Sequence, residues 1–451
     1  MKGLWAAACA PESHIPRTMN RDTPYPRRGY TRRGFLRVAA AGVAATACGG
    51  LFTACGDPRL AGKLRVTPNP VAVDEPFTIT LKGLSPLQRV TLHARFVDDY
   101  DVEWTSRATF RADFGGTVDV SGQAPIEGSY TGTDPMGLVW SAYGLGTSYA
   151  ISLRPRPLFI TAEVDDRKFS VQVVRNLLTG EMACTDVRDR GLYGRFFRPV
   201  GGEPAPGVLV LGGSEGGLAS YVMREAALLA SHGFAALALA YFYFGSLPDR
   251  LARIPLEYFG SAIGWLRDQP AVHGDWLGVM GTSRGGELAL LLGAHYPELE
   301  AVVSYSGSGL VFPSPDIQEP AWTFRGEPLS WIPNPFDILQ AKPEQLEKAE
   351  IPVERTNGPV LLVSGNADQV WPSAQLSQVA MDRLLRSERP YHDEFRHYPD
   401  AGHGIQPPYL PATPGTYYYG GDLKGNAAAN EDSWQRVLRM LDERLRRTSA
   451  P

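Results

Sequence analysis

Apolar positions along this chain follow two rhythms in succession. From about Leu64 to Leu178 apolar and polar residues alternate in short runs: "FTITLKGL", "RVTLHARFVD", "EWTSRATFRAD", "GGTVDVSG", "SYAISLRP" and "KFSVQVVRNL". A period of two marks a strand with one face buried. Pro, Gly and Asp interrupt the runs, and that spacing predicts an immunoglobulin-like antiparallel β-sandwich over residues 62–180. From about Gly191 the runs become nearly continuous: "GVLVLGG", "AALALAYF", "WLGVMG", "AVVSYSG" and "PVLLVSG", with the more mixed "DEFRHYP" last. Amphipathic stretches lie between most of them, such as "YVMREAALLASHG", "LEYFGSAIGWLRDQP", "GELALLLGAHYP" and "AQLSQVAMDRLLRS". Strands apolar on both faces, separated by helices, predict an α/β domain over 191–449 with a parallel sheet covered on both sides. The stretch "TDVRDRGLYGRFFRPVGGEPAPG" joins the halves.

Candidate chemistry concentrates in the second half. In "WLGVMGTSRGGELALLLG" an apolar run ends at a serine flanked, two positions either side, by Gly281 and Gly285, and a small-residue helix-like run follows. A strand, a sharp turn and a helix lift a serine hydroxyl above a sheet, and small residues at those positions let the backbone fold that tightly. Ser283 is therefore the candidate nucleophile. A glycine-rich phosphate turn is the competing explanation, but the chain has no G-x-x-x-x-G-K-[ST].

A serine hydroxyl needs a base, and the base needs an orienting acid. Downstream stand His295, His392, His397 and His403. His295 falls inside the helix after the serine, and His392 and His397 belong to or flank a strand. His403 lies in "YPDAGHGI", a turn-rich loop after a strand, where an α/β sheet presents functional groups. Asp368, in "GNADQVWP", holds the same position one strand earlier; Asp393, Asp400 and Glu394 are rivals. An oxyanion must be met by backbone N–H groups. Arg284 supplies one by its position after the serine. The loop "LGGSEGG" supplies a second from Ser214 or Glu215, a choice left open.

Composition narrows the partners. The chain has 451 residues, 43% hydrophobic, with a formal net charge of −4. Nothing here is a nucleic-acid footprint, and neither a metal nor a cofactor is indicated. Charge is uneven, however. The first 55 residues hold eight basic side chains against two acidic ones, which leaves the body strongly acidic. Within them "TRRGFLR" precedes the uncharged "VAAAGVAATACGGLFTAC", the order of a twin-arginine export signal. Met19 is an alternative start. "LFTAC" resembles a lipobox ending at Cys55, and "ATAC" offers Cys48. The expectation is an exported protein, periplasmic or on the cell surface, with lipid anchoring through Cys55 or release as the two outcomes; a non-functional leader would leave it cytoplasmic. Once the leader is removed Cys184 stands alone, so no internal disulfide is expected in the body. Oligomeric state is not legible.

Taken together, "GVLVLGGSEGGLASYVMREAALLASHGFAALALAYF", "LEYFGSAIGWL", "GVMGTSRGGELAL", "GNADQVWPS" and "YPDAGHGIQPPYLP" resemble the catalytic domain of the bile acid-CoA:amino acid N-acyltransferase/acyl-CoA thioesterase family. "DEPFTITLKGL", "FRADFGGTVDVS" and "SYTGTDPMGLVWS" resemble its N-terminal β-domain. The resemblance implies an α/β-hydrolase in which Ser283 attacks an acyl-CoA thioester, with His403 as base and Asp368 as acid. Members that transfer acyl groups to amino acids carry cysteine at the nucleophile, so serine implies hydrolysis. An export leader sits awkwardly with acyl-CoA, a cytosolic metabolite, and an exported ester hydrolase or acyltransferase with the same three residues is the alternative.

Overall fold

Residues 63–144, 156–338, 341–412 and 419–446 are described by a computed structural model. The leader, with its arginine pair, Met19, Cys48 and Cys55, lies outside them, as does "SYAISLRP".

The alternating half forms two packed sheets. Leu64–Thr67, Thr78–Lys82 and Thr117–Asp119 make a three-stranded antiparallel sheet. The second sheet has seven strands, with Arg89–Val97, Glu103–Arg111, Arg156–Val164 and Arg167–Asn176 as its long ones. Arg89–Val97 buries every other residue, as its sequence pattern requires. Ile79, Leu81 and Val118 from one sheet meet Leu92, Trp104, Phe110 and Ile160 from the other in a common core. Strand Arg156–Val164 was not singled out by its sequence: its Arg–Pro start obscures the alternation.

The second half is built on eight strands: β1 (Met182–Val187), β2 (Tyr193–Pro199), β3 (Ala205–Leu211), β4 (Ala235–Ala240), β5 (Val272–Thr282), β6 (Leu299–Tyr305), β7 (Val360–Gly365) and β8 (Glu394–Tyr398). Their order across the sheet is β1-β2-β4-β3-β5-β6-β7-β8. β1 and β2 are antiparallel, and β4, β3 and β5–β8 run parallel. This is the order of an α/β-hydrolase sheet. It begins at Met182, before the Gly191 at which the apolar rhythm changes, because β1 is half exposed and lacks a continuous apolar run.

Five helices cover the sheet: α1 (Ser220–Ser231), α2 (Leu256–Arg267), α3 (Arg284–His295), α4 (Ser373–Arg386) and α5 (Leu423–Leu445). Every residue of β3 is buried, and successive side chains go to opposite faces. Leu209 and Leu211 join Phe259 of α2, Leu288 of α3 and Leu384 of α4. Val208 and Val210 join Val222 of α1 and Trp434 and Leu441 of α5. Each such fully buried aliphatic side chain contributes about 1.5–3 kcal/mol. This two-faced burial holds the sheet rigid, so the turns at its C-terminal edge are set in fixed places.

Cys184 of β1 is disulfide-bonded, which departs from the expectation of no internal disulfide. That expectation assumed a processed body; Cys9, Cys48 and Cys55 all lie outside the described residues. No helix among the described residues is long and apolar enough to cross a membrane.

Candidate active site

β5 runs straight into a turn at Ser283, whose backbone sits at φ 60°, ψ −121°. A non-glycine residue there is strained by about 1–3 kcal/mol and persists only where its surroundings impose it. They do. A Cβ on Gly281 would overlap the carbonyl of Gly285, and one on Gly285 would overlap that of Gly212. Only glycine lets the three backbones meet. The Ser283 N–H donates to the Tyr305 carbonyl of β6 at 2.8 Å, and its own carbonyl accepts from Gly286 and Glu287 of α3.

His403 and Asp368 come together. His403 Nδ1 lies 2.7 Å from Asp368 Oδ2, in loops that follow β8 and β7. Asp368 is held from several sides: Oδ1 accepts the N–H groups of Val370 and Trp371, and Oδ2 also accepts the Ser373 hydroxyl at 2.5 Å. Both side chains are buried. The His403 ring packs against Trp371 and Tyr419, and the His403 backbone N–H donates to the Tyr419 carbonyl.

The end of β6 ties this pair to the serine turn. Tyr305 holds the Ser283 N–H, while the next residue, Ser306, donates its hydroxyl to the His403 carbonyl at 2.8 Å. Ser306 also accepts the Trp371 indole N–H. Ser283, Asp368 and His403 thus stand at the C-terminal edge of one sheet, just past the ends of the parallel strands β5, β7 and β8.

The rivals sit elsewhere. His295 turns its Nδ1 to the Leu291 carbonyl of its own helix, and His397 is exposed beside Phe395. His392 is exposed as well. Asp393 accepts the Val360 N–H and pairs with Arg389 at the opposite end of β7. Glu394 pairs with Arg436, and Asp400 is exposed.

Arg284 opens α3, where an N–H has no intrahelical acceptor. Its guanidinium turns away into a buried pair with Glu287 and donates to the Phe312 and Pro313 carbonyls. Glu287 also accepts from Trp322 and from the Phe312 N–H. Full burial pushes its carboxyl up to about 7, against the pull of Arg284. Across from the turn, the N–H groups of Ser214 and Glu215 bond to no acceptor among the described residues. Gly213 N–H is already taken, by Glu215 Oε1 and the Tyr221 hydroxyl. No three His, Cys, Asp or Glu side chains cluster as metal ligands among the described residues.

Residues 254–447 match the model of the BAAT/acyl-CoA thioester hydrolase C terminal, and residues 74–186 that of the acyl-CoA thioester hydrolase/BAAT N-terminal region. The chain is 30% identical over 409 residues to the peroxisomal succinyl-coenzyme A thioesterase of Mus musculus, covering 82% of this chain and 94% of that one. It is 31% identical over 423 residues to acyl-coenzyme A amino acid N-acyltransferase 1 of the same organism, covering 85% and 98%. The chain belongs to the acyl-CoA thioester hydrolase/BAAT family. Among solved structures, a dienelactone hydrolase-like promiscuous phosphotriesterase from metagenomic libraries is similar at 21% identity and a TM-score of 0.40, over 58% of this chain and 99% of that one. Membership does not rest on that likeness.

Within this family frame, several supporting residues had little or no signal in the sequence. Ser306, Trp371 and Ser373 act through contacts that only the folded chain creates. Ser373 alone carried a hint, since it follows the Asp368 turn and opens α4.

Proposed function

We propose that this chain is a serine-nucleophile acyl-CoA thioesterase. The His403–Asp368 pair beside a strained serine turn is the observation that carries the proposal. His403 Nε2 takes the proton of Ser283 Oγ as that oxygen attacks the thioester carbonyl. The tetrahedral oxyanion is met by the N–H of Arg284 and one from Ser214 or Glu215. The C–S bond breaks, His403 returns its proton to the leaving thiolate of CoA, and acyl-Ser283 remains. Water then gives a proton to His403 as it attacks the ester carbonyl, the bond from that carbon to Ser283 Oγ breaks, and His403 returns the proton to Oγ as the carboxylic acid leaves. Asp368 holds the imidazole in the tautomer this requires and stabilises the imidazolium. An oxygen-ester intermediate is a weaker acyl donor to amines than a thioester, which favours water as acceptor.

A second proposal is an exported carboxyl-ester hydrolase or acyltransferase with the same three residues. The arginine pair and small-residue run before Cys55 favour it, together with a periplasmic or cell-surface location. The purified protein is to be given a serine-reactive phosphonate, a panel of acyl-CoA chains and simple aryl esters. Labelling at Ser283, thiol release from acyl-CoA, and a loss of at least about 10⁴-fold in Ser283→Ala are expected. Ester turnover without thiol release transfers the case to the second proposal. Wild-type-like turnover in Ser283→Ala defeats both.

A further inference from the structure

Glu215 enters the sequence as a backbone donor, but its side chain does something else. The carboxylate folds back over its own glycine loop. Oε1 accepts the Gly213 N–H at 3.0 Å and the Tyr221 hydroxyl at 2.5 Å. Burial, and then the charge of Glu215, push the Tyr221 phenol well up, so it stays protonated and donates.

The other oxygen, Oε2, has no hydrogen-bond partner among the described residues. It lies 3.1 Å from where a Cβ on Gly213 would stand, and Ser283 Cβ lies 3.1 Å from that same point. The two atoms are therefore within about 6 Å of each other. Gly212 and Gly213 lack the side chains that would crowd the carboxylate out. In the sheet order β3 lies on one side of β5, while β7 and β8 lie on the other. Oε2 thus faces the nucleophile from the side opposite His403. A water activated by His403 approaches from the His403 side, so Oε2 does not serve as its base.

An acyl group on Ser283 starts beside this oxygen and displaces the water that screens it. Like charges at such range repel strongly once water leaves. We infer that Glu215 is a specificity-determining residue that selects against acyl groups bearing their own carboxylate a few carbons from the reacting carbonyl, and so favours neutral chains. This rests on Ser283 as the nucleophile.

The test measures kcat/KM for pentanoyl-CoA and succinyl-CoA with wild type, Glu215→Gln and Tyr221→Phe, alongside phosphonate labelling of Ser283. Wild type is expected to prefer pentanoyl by at least tenfold. Glu215→Gln keeps an acceptor for Gly213 but loses the charge, and is expected to shrink that preference at least tenfold. Tyr221→Phe loosens the loop but keeps the charge; it is expected to slow both substrates while leaving their ratio in place. The ratio is the readout, because loop damage lowers both rates together. Labelled Ser283 with an unchanged ratio in Glu215→Gln overturns the inference alone. No labelling in wild type removes the nucleophile, and the inference with it.

Discussion

The β-sandwich and the α/β-hydrolase sheet bury their strands in opposite ways. Arg89–Val97 of the sandwich hides alternate residues, whereas β3 hides all seven. A strand buried on both faces has only its ends free for chemistry: Asp368 lies past the end of such a strand, β7, and Ser283 past β5, while His403 follows the more exposed β8. The sandwich contributes none of these groups, yet it is not merely appended. Tyr409, six residues after His403, places its ring in the sandwich core. Its carbonyl accepts from Arg175 of the sandwich, and the nearby Ala412 N–H donates to the Trp140 carbonyl. One region carries Ser283, Asp368 and His403, and the other grips the loop that holds His403.

The largest expected effect breaks the comparison on the catalytic side. His403→Ala should lower kcat/KM by at least about 10⁴-fold. Its unfolding free energy should stay within about 1 kcal/mol of wild type, because Asp368 keeps its donors Val370, Trp371 and Ser373. His397→Ala, on an exposed face of β8, should change turnover less than about twofold. If His397→Ala is the inactive variant, the base has been misplaced.

The same contrast explains what could be read in advance. Ser283 was legible because tight backbone approach demands glycine at 281 and 285, and glycine leaves a mark in sequence. Asp368 and His403 were legible by position, each in a loop just past an apolar or mixed run. Long two-faced strands and amphipathic helices showed their boundaries through periodicity. β1 did not, because half-exposed antiparallel strands mix their pattern. The shell behind the site was hidden for another reason. Ser306 is one serine among many until β6 brings it under His403, and Tyr409 gives no sign that it belongs to the other domain's core. Glu215 was half legible: the loop pointed to its backbone, while the carboxylate's place depends on Tyr221.

Tyr409→Ala comes next in size and sharpens the comparison at the junction. Removing a buried aromatic should cost about 3 kcal/mol in urea unfolding. If the sandwich positions the His403 loop, kcat should also fall, by roughly tenfold, a geometric loss transmitted along the five intervening residues. Tyr409→Phe keeps the ring and loses only the hydroxyl contact with Glu431, so it should recover most of both. Lost stability with unchanged kcat in Tyr409→Ala would reduce the sandwich to a passive neighbour.

The smallest effect lies at a second contact between the two regions. Asp74 of the sandwich is buried and accepts from His232, at the end of α1, at 2.6 Å and from the Trp434 indole of α5 at 2.8 Å. Burial opposes the charged imidazole, but the hydrogen bond and charge of Asp74, helped by Glu75 and opposed by Arg446, outweigh it and raise the His232 pKa above its ordinary 6.5. The folded state therefore binds the proton more tightly than the unfolded one. The stabilisation is fully present below about pH 6.5 and is lost as pH rises through the raised folded value. Urea unfolding across pH 6–9 should show wild type losing stability relative to His232→Gln, which retains a donor for Asp74 but does not titrate there. Parallel curves for the two proteins would mean that the interdomain contact holds by hydrogen bonding alone, with no proton linked to it.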